Sequence, residues 1–301
     1  MKILNFGSLN IDRVYGVSHI VKPGETITAE SLNTYAGGKG LNQSIAAARA
    51  GGQVMHLGAI GNEGEFLAEL LKSAGADTEN IMRLDTASGH AIIQVEQGGE
   101  NSIVVFGGAN RQLTKEYVLS CLDKGEPGDF VLLQNETNET ATIISEAAKR
   151  GLIVVFNPSP FNESIKTLPL SDVGLFIVNE IEAAELAGMS GSDEPEKILA
   201  ALSALYPKAD IVMTLGTKGV VCSVAGEIFR QGIFKVKAVD TTAAGDTFCG
   251  YLLASRCKGK NMPDSLRISA AASAIAVSRA GAAPSIPTED EVQKFLSDWQ
   301  D

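Results

Sequence analysis

Six short apolar runs, KILNFG, QVMHLGAI, FVLLQ, LIVVFN, LFIVN and DIVMTLG, recur along the chain, separated by helix-like segments that begin near Leu41, Glu63, Thr114, Asn138, Glu180 and Glu194. The runs lack clean polar/apolar alternation, which suits strands buried on both faces. Strands that follow one another through helices run parallel. The pattern predicts an α/β fold: a doubly wound, mainly parallel sheet with helices on both faces. At 301 residues the chain allows about two domains or one large α/β domain.

Two regions break the rhythm. DRVYGVSHIVKPGETITAESLNTYAGG and GHAIIQVEQGGENSIVVFGGAN alternate polar and apolar residues around Pro-Gly and Gly-Gly turn signals. They read as hairpins of a second, smaller sheet. They flank a helix and a strand of the main sheet, so the small sheet is an insertion, a discontinuous β lid formed by about 12–36 and 88–107 within one domain of 1–301. From Ala243 onward the chain is Ala-rich and strongly helical.

Composition then removes whole classes of function. Thirty-six acids against 25 bases give a net charge of −11, which opposes nonspecific attraction to nucleic acid or anionic membrane and leaves phosphate chemistry dependent on a local positive field. The four cysteines form no CxxC pair and the three histidines no ligand-spaced pair, which predicts reduced thiols in a cytoplasmic protein and no zinc site. The N-terminal MKILNFGSLNID is broken by Asn5, Gly7 and Asn10 and reads as a first strand rather than a secretory leader. ISAAASAIAVS, the longest apolar candidate for a span, falls well short of the ~20 residues a membrane helix needs.

Common nucleotide and hydrolase motifs are missing. Gly38-Lys39 is followed by Gly40 and lacks the earlier glycine of a P-loop; Gly38-Lys39-Gly40 is followed at position 43 by Gln, so the dinucleotide fingerprint fails; GxSxG does not occur. What remains is DTTAAGDTFCGYL at 240–252, two acids and small residues opening a helix. The first N–H groups of a helix have no internal partners and its dipole end is positive, so small residues there let an anion reach the backbone. Asp246, in the first turn, could simply complement the dipole. Paired with the donor nest it becomes more: a base that accepts a hydroxyl proton beside an anion hole that stabilises a transferring phosphoryl group.

These residues resemble the DTxxGD signature of the ribokinase, or PfkB, family of sugar kinases. A second stretch, AGGKGLNQSIAAARAGG at 36–52, is similar to that family's glycine-rich sugar-binding segment in spacing and position, and the likeness runs from GSLNID to GAAPSIP. The resemblance implies an ATP-dependent kinase that phosphorylates a primary hydroxyl of a pentose, foremost the 5-hydroxyl of D-ribose. Asp246 would be the catalytic base, with the backbone of Ala243, Ala244 and Gly245 as the anion hole. Asn10, Asp12, Gly38, Lys39, Asn42 and Glu136 would bind the sugar. Taken singly, Asn10 and Asp12 read as a turn after the first strand and Asn42 as a helix start; Lys39 reads as a solvated turn charge, so the glycines around it should matter more.

Further implications are carried by weaker motifs. Asn179 and Glu182 in NEIEA match the family's NxxE and would organise magnesium, largely through water, although the same spacing makes a helix capping box. TLGTKG, through Thr214, Gly216, Thr217, Lys218 and Gly219, together with Asn179 and Gly245, would border the nucleotide. A potassium ion would sit among Asp240, Thr242, Ala276, Arg279, Gly281 and Ser285, mostly on backbone oxygens. The family often dimerises through its lid sheets, which implies a homodimer.

Some residues depart from the family pattern. His90 takes a position that ribokinases fill with an apolar residue lining the lid over the sugar; NPSPF at 157–161 replaces an Ala-containing sequence; Cys249 replaces an asparagine and reads as a small buried side chain. A lone histidine on a strand reads first as structural. Rival functions are a kinase for another sugar, a nucleoside or a sugar phosphate, and a sugar sensor without catalysis. A sugar phosphate would need a cationic clamp, which Asp12 and Glu136 oppose, and the intact Gly245-Asp246 pair speaks against a sensor.

Overall fold

In the computed structural model, which describes residues 1–299, the chain begins with β1 (Ile3–Phe6), β2 (Asn10–Val17), β3 (Ser31–Gly37) and α1 (Lys39–Arg49). There follow β4 (Val54–Leu57), β5 (Ala59–Ile60), α2 (Glu65–Ser73), β6 (Met82–Arg83), β7 (Gly89–Glu96) and β8 (Asn101–Phe106). Next come α3 (Lys115–Leu122), β9 (Phe130–Gln134), α4 (Thr140–Lys149), β10 (Ile153–Asn157), β11 (Leu175–Asn179), α5 (Glu180–Ala187) and α6 (Pro195–Leu205). The chain closes with β12 (Asp210–Thr214), β13 (Val220–Val224), β14 (Glu227–Gln231), α7 (Ala244–Cys257), α8 (Met262–Val277) and α9 (Glu289–Asp298).

Among the described residues the main sheet has eight strands in the order β14-β13-β12-β11-β10-β9-β1-β4, parallel from β4 to β12. Its strands feed two cores because side chains alternate faces. On β9, Phe130 and Leu132 enter a core with α1, α2, α7, α8 and α9, while Val131 and Leu133 enter another with α3, α4, α5 and α6. Burial on both sides explains the near-continuous apolar runs. The QVMHLGAI run proves to be two strands: β4 joins the main sheet, whereas β5, beyond Gly58, pairs with β6 in a separate ribbon. An antiparallel hairpin unseen in the sequence reading, β13–β14, extends the sheet edge. Its two-residue turn is Ala225-Gly226, both at positive φ, a weaker signal than Asn-Gly.

The small sheet has the order β3-β2-β7-β8, two hairpins joined by parallel pairing of β2 with β7. It leaves a cluster of large apolar side chains in solvent: Tyr35, Ile103, Val104, Val105 and Phe106 are all more than half exposed.

Close packing aims the later site. A Cβ on Gly250 of α7 would fall 2.5 Å from Ala46 Cβ and 2.7 Å from the Gln43 carbonyl oxygen, so only glycine lets α7 lie this close to α1. Gly40 works likewise at the other end of α1, where an added Cβ would lie 2.2 Å from the Ser8 amide nitrogen. The first turn of α7 is thereby held against the first turn of α1, at the C-terminal ends of the parallel strands, where open α/β sheets place their ligands.

Candidate active site

Ala243, which precedes α7, has φ 59 and ψ 10, a left-handed conformation uncommon for a non-glycine residue and one that turns the chain sharply into the helix. Among the described residues the N–H groups of Ala243 and Gly245 have no acceptor, while that of Ala244 reaches the Thr241 carbonyl at 3.3 Å. A Cβ on Gly245 would meet nothing within 4 Å. The open space and the free donors coincide.

Asp246, only 9% exposed, lies beside them. Its Oδ2 accepts from Asn42 Nδ2 at 3.0 Å and its Oδ1 from Gln43 Nε2 at 2.9 Å. Asn42 Oδ1 is buried with no donor, so a hydroxyl-bearing ligand that reached it would satisfy it. Gln43 was not among the residues singled out from sequence. Its neighbours Gln134 and Asn5 were missed too, and Asn157 was noted only as the start of NPSPF: they look like ordinary strand residues until the register of β1, β9 and β10 sets them beneath α1.

Two cavities meet at this point. The larger, of about 430 Å³, is walled by apolar groups including Phe234, Val236, Phe248, Ala274 and Val277, with Thr214, Gly216, Thr217 and Gly219 on its rim. The smaller, of about 220 Å³, is polar and takes in Lys39, Asn157, Ser159, Asn179, Glu182 and Asp246. Thr214, Thr241, Ala244 and Gly245 line both, which joins them at the start of α7. Lys218 is exposed and lines neither cavity.

The groups expected on a sugar gather on the lid side. Asn10 Oδ1 accepts from Asn110 Nδ2 at 2.8 Å, a partner not foreseen from sequence. Glu136 Oε2 accepts from the Lys39 N–H at 2.9 Å and from the Ser8 hydroxyl, fastening the strand β9 end to the glycine loop at Gly38. It is the backbone of Lys39 that makes this contact. Burial raises the Glu136 carboxyl above its usual range, against the opposing pull of Ser8 and Lys39. Burial, and then the charge of Glu136, pushes Asp12 up to about 6. Glu136 also feels the charge of Asp246, so the three carboxylates share one electrostatic neighbourhood.

His90 takes the structural role that a lone strand histidine suggests and is absent from the lid face that carries Asp12. Cross-strand partners share a sheet face; Asp12 pairs with Ala91 and Ile11 with His90, so Ala91 is on the Asp12 face and His90 on the other. There its Nδ1–H donates to the Ser88 carbonyl at 3.1 Å and its ring packs 5.1 Å from that of Phe106. Cys249 is 1% exposed, as a small buried side chain should be, with Sγ 3.7 Å from Gln43 Oε1.

At the other end, Asn179 caps α5 and Glu182 Oε2 returns to the Asn179 N–H at 3.0 Å, a complete capping box that nonetheless faces the polar cavity. No group of three His, Cys, Asp or Glu able to hold a metal occurs among the described residues. Asp240 Oδ1 accepts from the Thr242 N–H and hydroxyl and Oδ2 from the Gly281 N–H, and these bonds hold its carboxyl below the usual range. Ser285 donates to the Ala282 carbonyl, the Ala276 carbonyl accepts from Arg279 N–H, and the Arg279 side chain pairs with Glu291. Asp240 is thus the anion of this loop pair.

A buried carboxylate next to unpartnered amides, where a polar cavity opens into an apolar one, suits a nucleotide-dependent phosphotransferase acting on an alcohol. The pfkB family carbohydrate kinase model matches residues 1–289, and the chain belongs to that family. It is 37% identical to a ribokinase of Haemophilus influenzae over 96% of each chain. Among solved structures, a ribokinase of Cryptococcus neoformans in complex with ADP is 36% identical with a TM-score of 0.86, covering 97% of this chain and 99% of its own. A ribokinase of Arabidopsis thaliana complexed with ribose and ATP is 29% identical with a TM-score of 0.88, covering 99% of both chains.

Proposed function

We propose that this carbohydrate kinase transfers the γ-phosphoryl group of ATP to the 5-hydroxyl of D-ribose, with Asp246 as the general base. The observation that carries the reading is the position of Asp246: buried, hydrogen-bonded to Asn42 on the sugar side, and opening onto the cavity that adjoins the free amides of α7. The adenosine part of ATP suits the apolar cavity and its triphosphate the junction at Gly245. Asp12, Asn10 and Glu136 supply acceptors for ring hydroxyls, and Asn42 one more. A primary hydroxyl is far too weak an acid to ionise in advance, so its proton passes to Asp246 as the phosphoryl group transfers, a contribution of about 10²- to 10⁴-fold. The Ala243 and Gly245 amides stabilise the phosphoryl oxygens, one such donor being worth about 2.7–4 kcal/mol.

Magnesium, bound through the phosphates with Glu182 and Asn179 nearby, would neutralise charge on them. A potassium ion beside Asp240 and Thr242 would steady the loop that leads into α7. The exposed apolar strand β8 suits burial against a second copy, giving a dimer through the lids. No helix among the described residues is long and apolar enough to cross a membrane, and the cysteines are free; a cytoplasmic setting accords with both. ADP release measured with a panel of pentoses, hexoses, nucleosides and sugar phosphates, with and without potassium, tests the reading. Ribose should give the highest kcat/KM; preference for a nucleoside or a sugar phosphate, or no sugar-dependent release, would overturn it.

A further inference from the structure

Gln43 is fully buried on α1, yet its side-chain amide is spent entirely on polar partners, Asp246 among them. The direction of every bond it makes is fixed from outside. Asn5 Nδ2 donates to the Gly40 carbonyl at 2.8 Å, and a carbonyl only accepts, so Asn5 must turn its Oδ1 towards Gln134. Gln134 Nε2 then donates to Asn5 Oδ1 at 3.0 Å and to Gln43 Oε1 at 2.7 Å. On the other flank, Asn157 Nδ2 donates to the Ile177 carbonyl at 2.8 Å, which leaves Asn157 Oδ1 to accept from Gln43 Nε2 at 3.0 Å. Both flanks force the Gln43 amide to present N–H, and the second hydrogen points to Asp246 Oδ1. Asn42, the other donor to Asp246, makes no second side-chain hydrogen bond that would fix its amide, whereas Gln134, although its Oε1 likewise has no donor, is oriented by both of its Nε2 bonds.

We propose that Gln43 is the positioning residue for Asp246: a buried amide relay from Asn5 and Gln134 locks its N–H onto Oδ1, so that the carboxylate meets the sugar hydroxyl in one orientation. Gln43 itself touches no substrate. Its effect is on kcat, because a base must lie within hydrogen-bond reach of its proton and small misplacements cost rate steeply.

The inference rests on Asp246 being the base, so Asp246→Asn is measured beside the Gln43 variants. Gln43→Met keeps the volume and removes the donor; kcat per folded molecule should fall about 10- to 100-fold with sugar KM changed less than threefold. Gln43→Glu separates positioning from mere packing. When protonated, the introduced carboxyl can donate to Oδ1 as the amide does; as pH rises it ionises against Asp246 and the bond becomes a repulsion. The activity of this variant relative to the parent should therefore fall with rising pH. Asp12, Glu136, Glu182, Lys39 and the Cys249 thiol that touches Gln43 are common to both proteins, so the ratio isolates the substituted side chain. A kcat within twofold of the parent in Gln43→Met, or a Gln43→Glu profile parallel to the parent's, would overturn the role of Gln43. Should Gln43→Met fail to fold, the Gln43→Glu profile decides. Near-normal turnover in Asp246→Asn would instead remove the base assignment.

Discussion

The two ends of the site are built from different materials. The end we assign to the phosphates is built of backbone: free amides, a left-handed alanine and a glycine with empty space before it, all within 240–246. The end we assign to the sugar is built of side chains, with acids and amides delivered by β2, the first turn of α1 and the end of β9, each clamped by a partner far away in the chain. A backbone site needs one continuous stretch of small residues, whereas a side-chain site needs the whole fold. The first end therefore tolerates no added bulk, and the second is tuned by charge.

The sharpest way to break this contrast is to add bulk at the phosphate end. The added Cβ of Gly245→Val would meet no protein atom within 4 Å, so the fold should hold while kcat/KM for ATP falls about 10²-fold or more, the worth of a lost amide donor. Steady-state kinetics with saturating sugar checks it, and a normal kcat/KM for ATP would erase the distinction between the ends. Gly250→Val attacks the packing that unites them. Its Cβ overlaps α1, so a loss of about 1–3 kcal/mol in denaturant unfolding is expected, with a lowered kcat even in the folded fraction.

Charge sharpens the sugar end. The Asp12 carboxyl is raised to about 6, so ionising it in the folded, sugar-free chain costs more than in the unfolded chain. Stability is unaffected below the unfolded value and declines as pH climbs from there through about 6; Asp12→Asn should recover up to about 3 kcal/mol at pH 7 and nothing at pH 3. The same substitution should weaken sugar binding, and in the parent sugar KM should rise as pH falls below about 6, because the acceptor is lost on protonation. A smaller effect is expected at the lid: Phe106→Ser should shift sedimentation towards monomer with only a few-fold change in kcat.

The contrast also explains what could be read in advance. The strand and helix alternation followed from runs buried on both faces, and the free amides at the start of α7, the proposed phosphate end, from the small residues around Gly245, since both signals are local. The lid hairpins announced themselves through turn residues, whereas the β13–β14 hairpin, turning on Ala225-Gly226, did not. Asn10, Asp12 and Glu136 drew meaning from family likeness, because nothing local distinguishes them from turn residues. The face of His90 depended on register, which a one-residue offset reverses. Gln43, Gln134 and Asn5 stayed silent because three distant strands and one helix had to meet before their amides could form a relay.

The most direct test is rapid-quench phosphoryl transfer by Asp246→Asn, with sugar affinity measured by calorimetry on the same sample. The account predicts a transfer rate lowered by about 10²-fold or more, with sugar affinity within a few-fold of the parent. A transfer rate close to the parent's would contradict it.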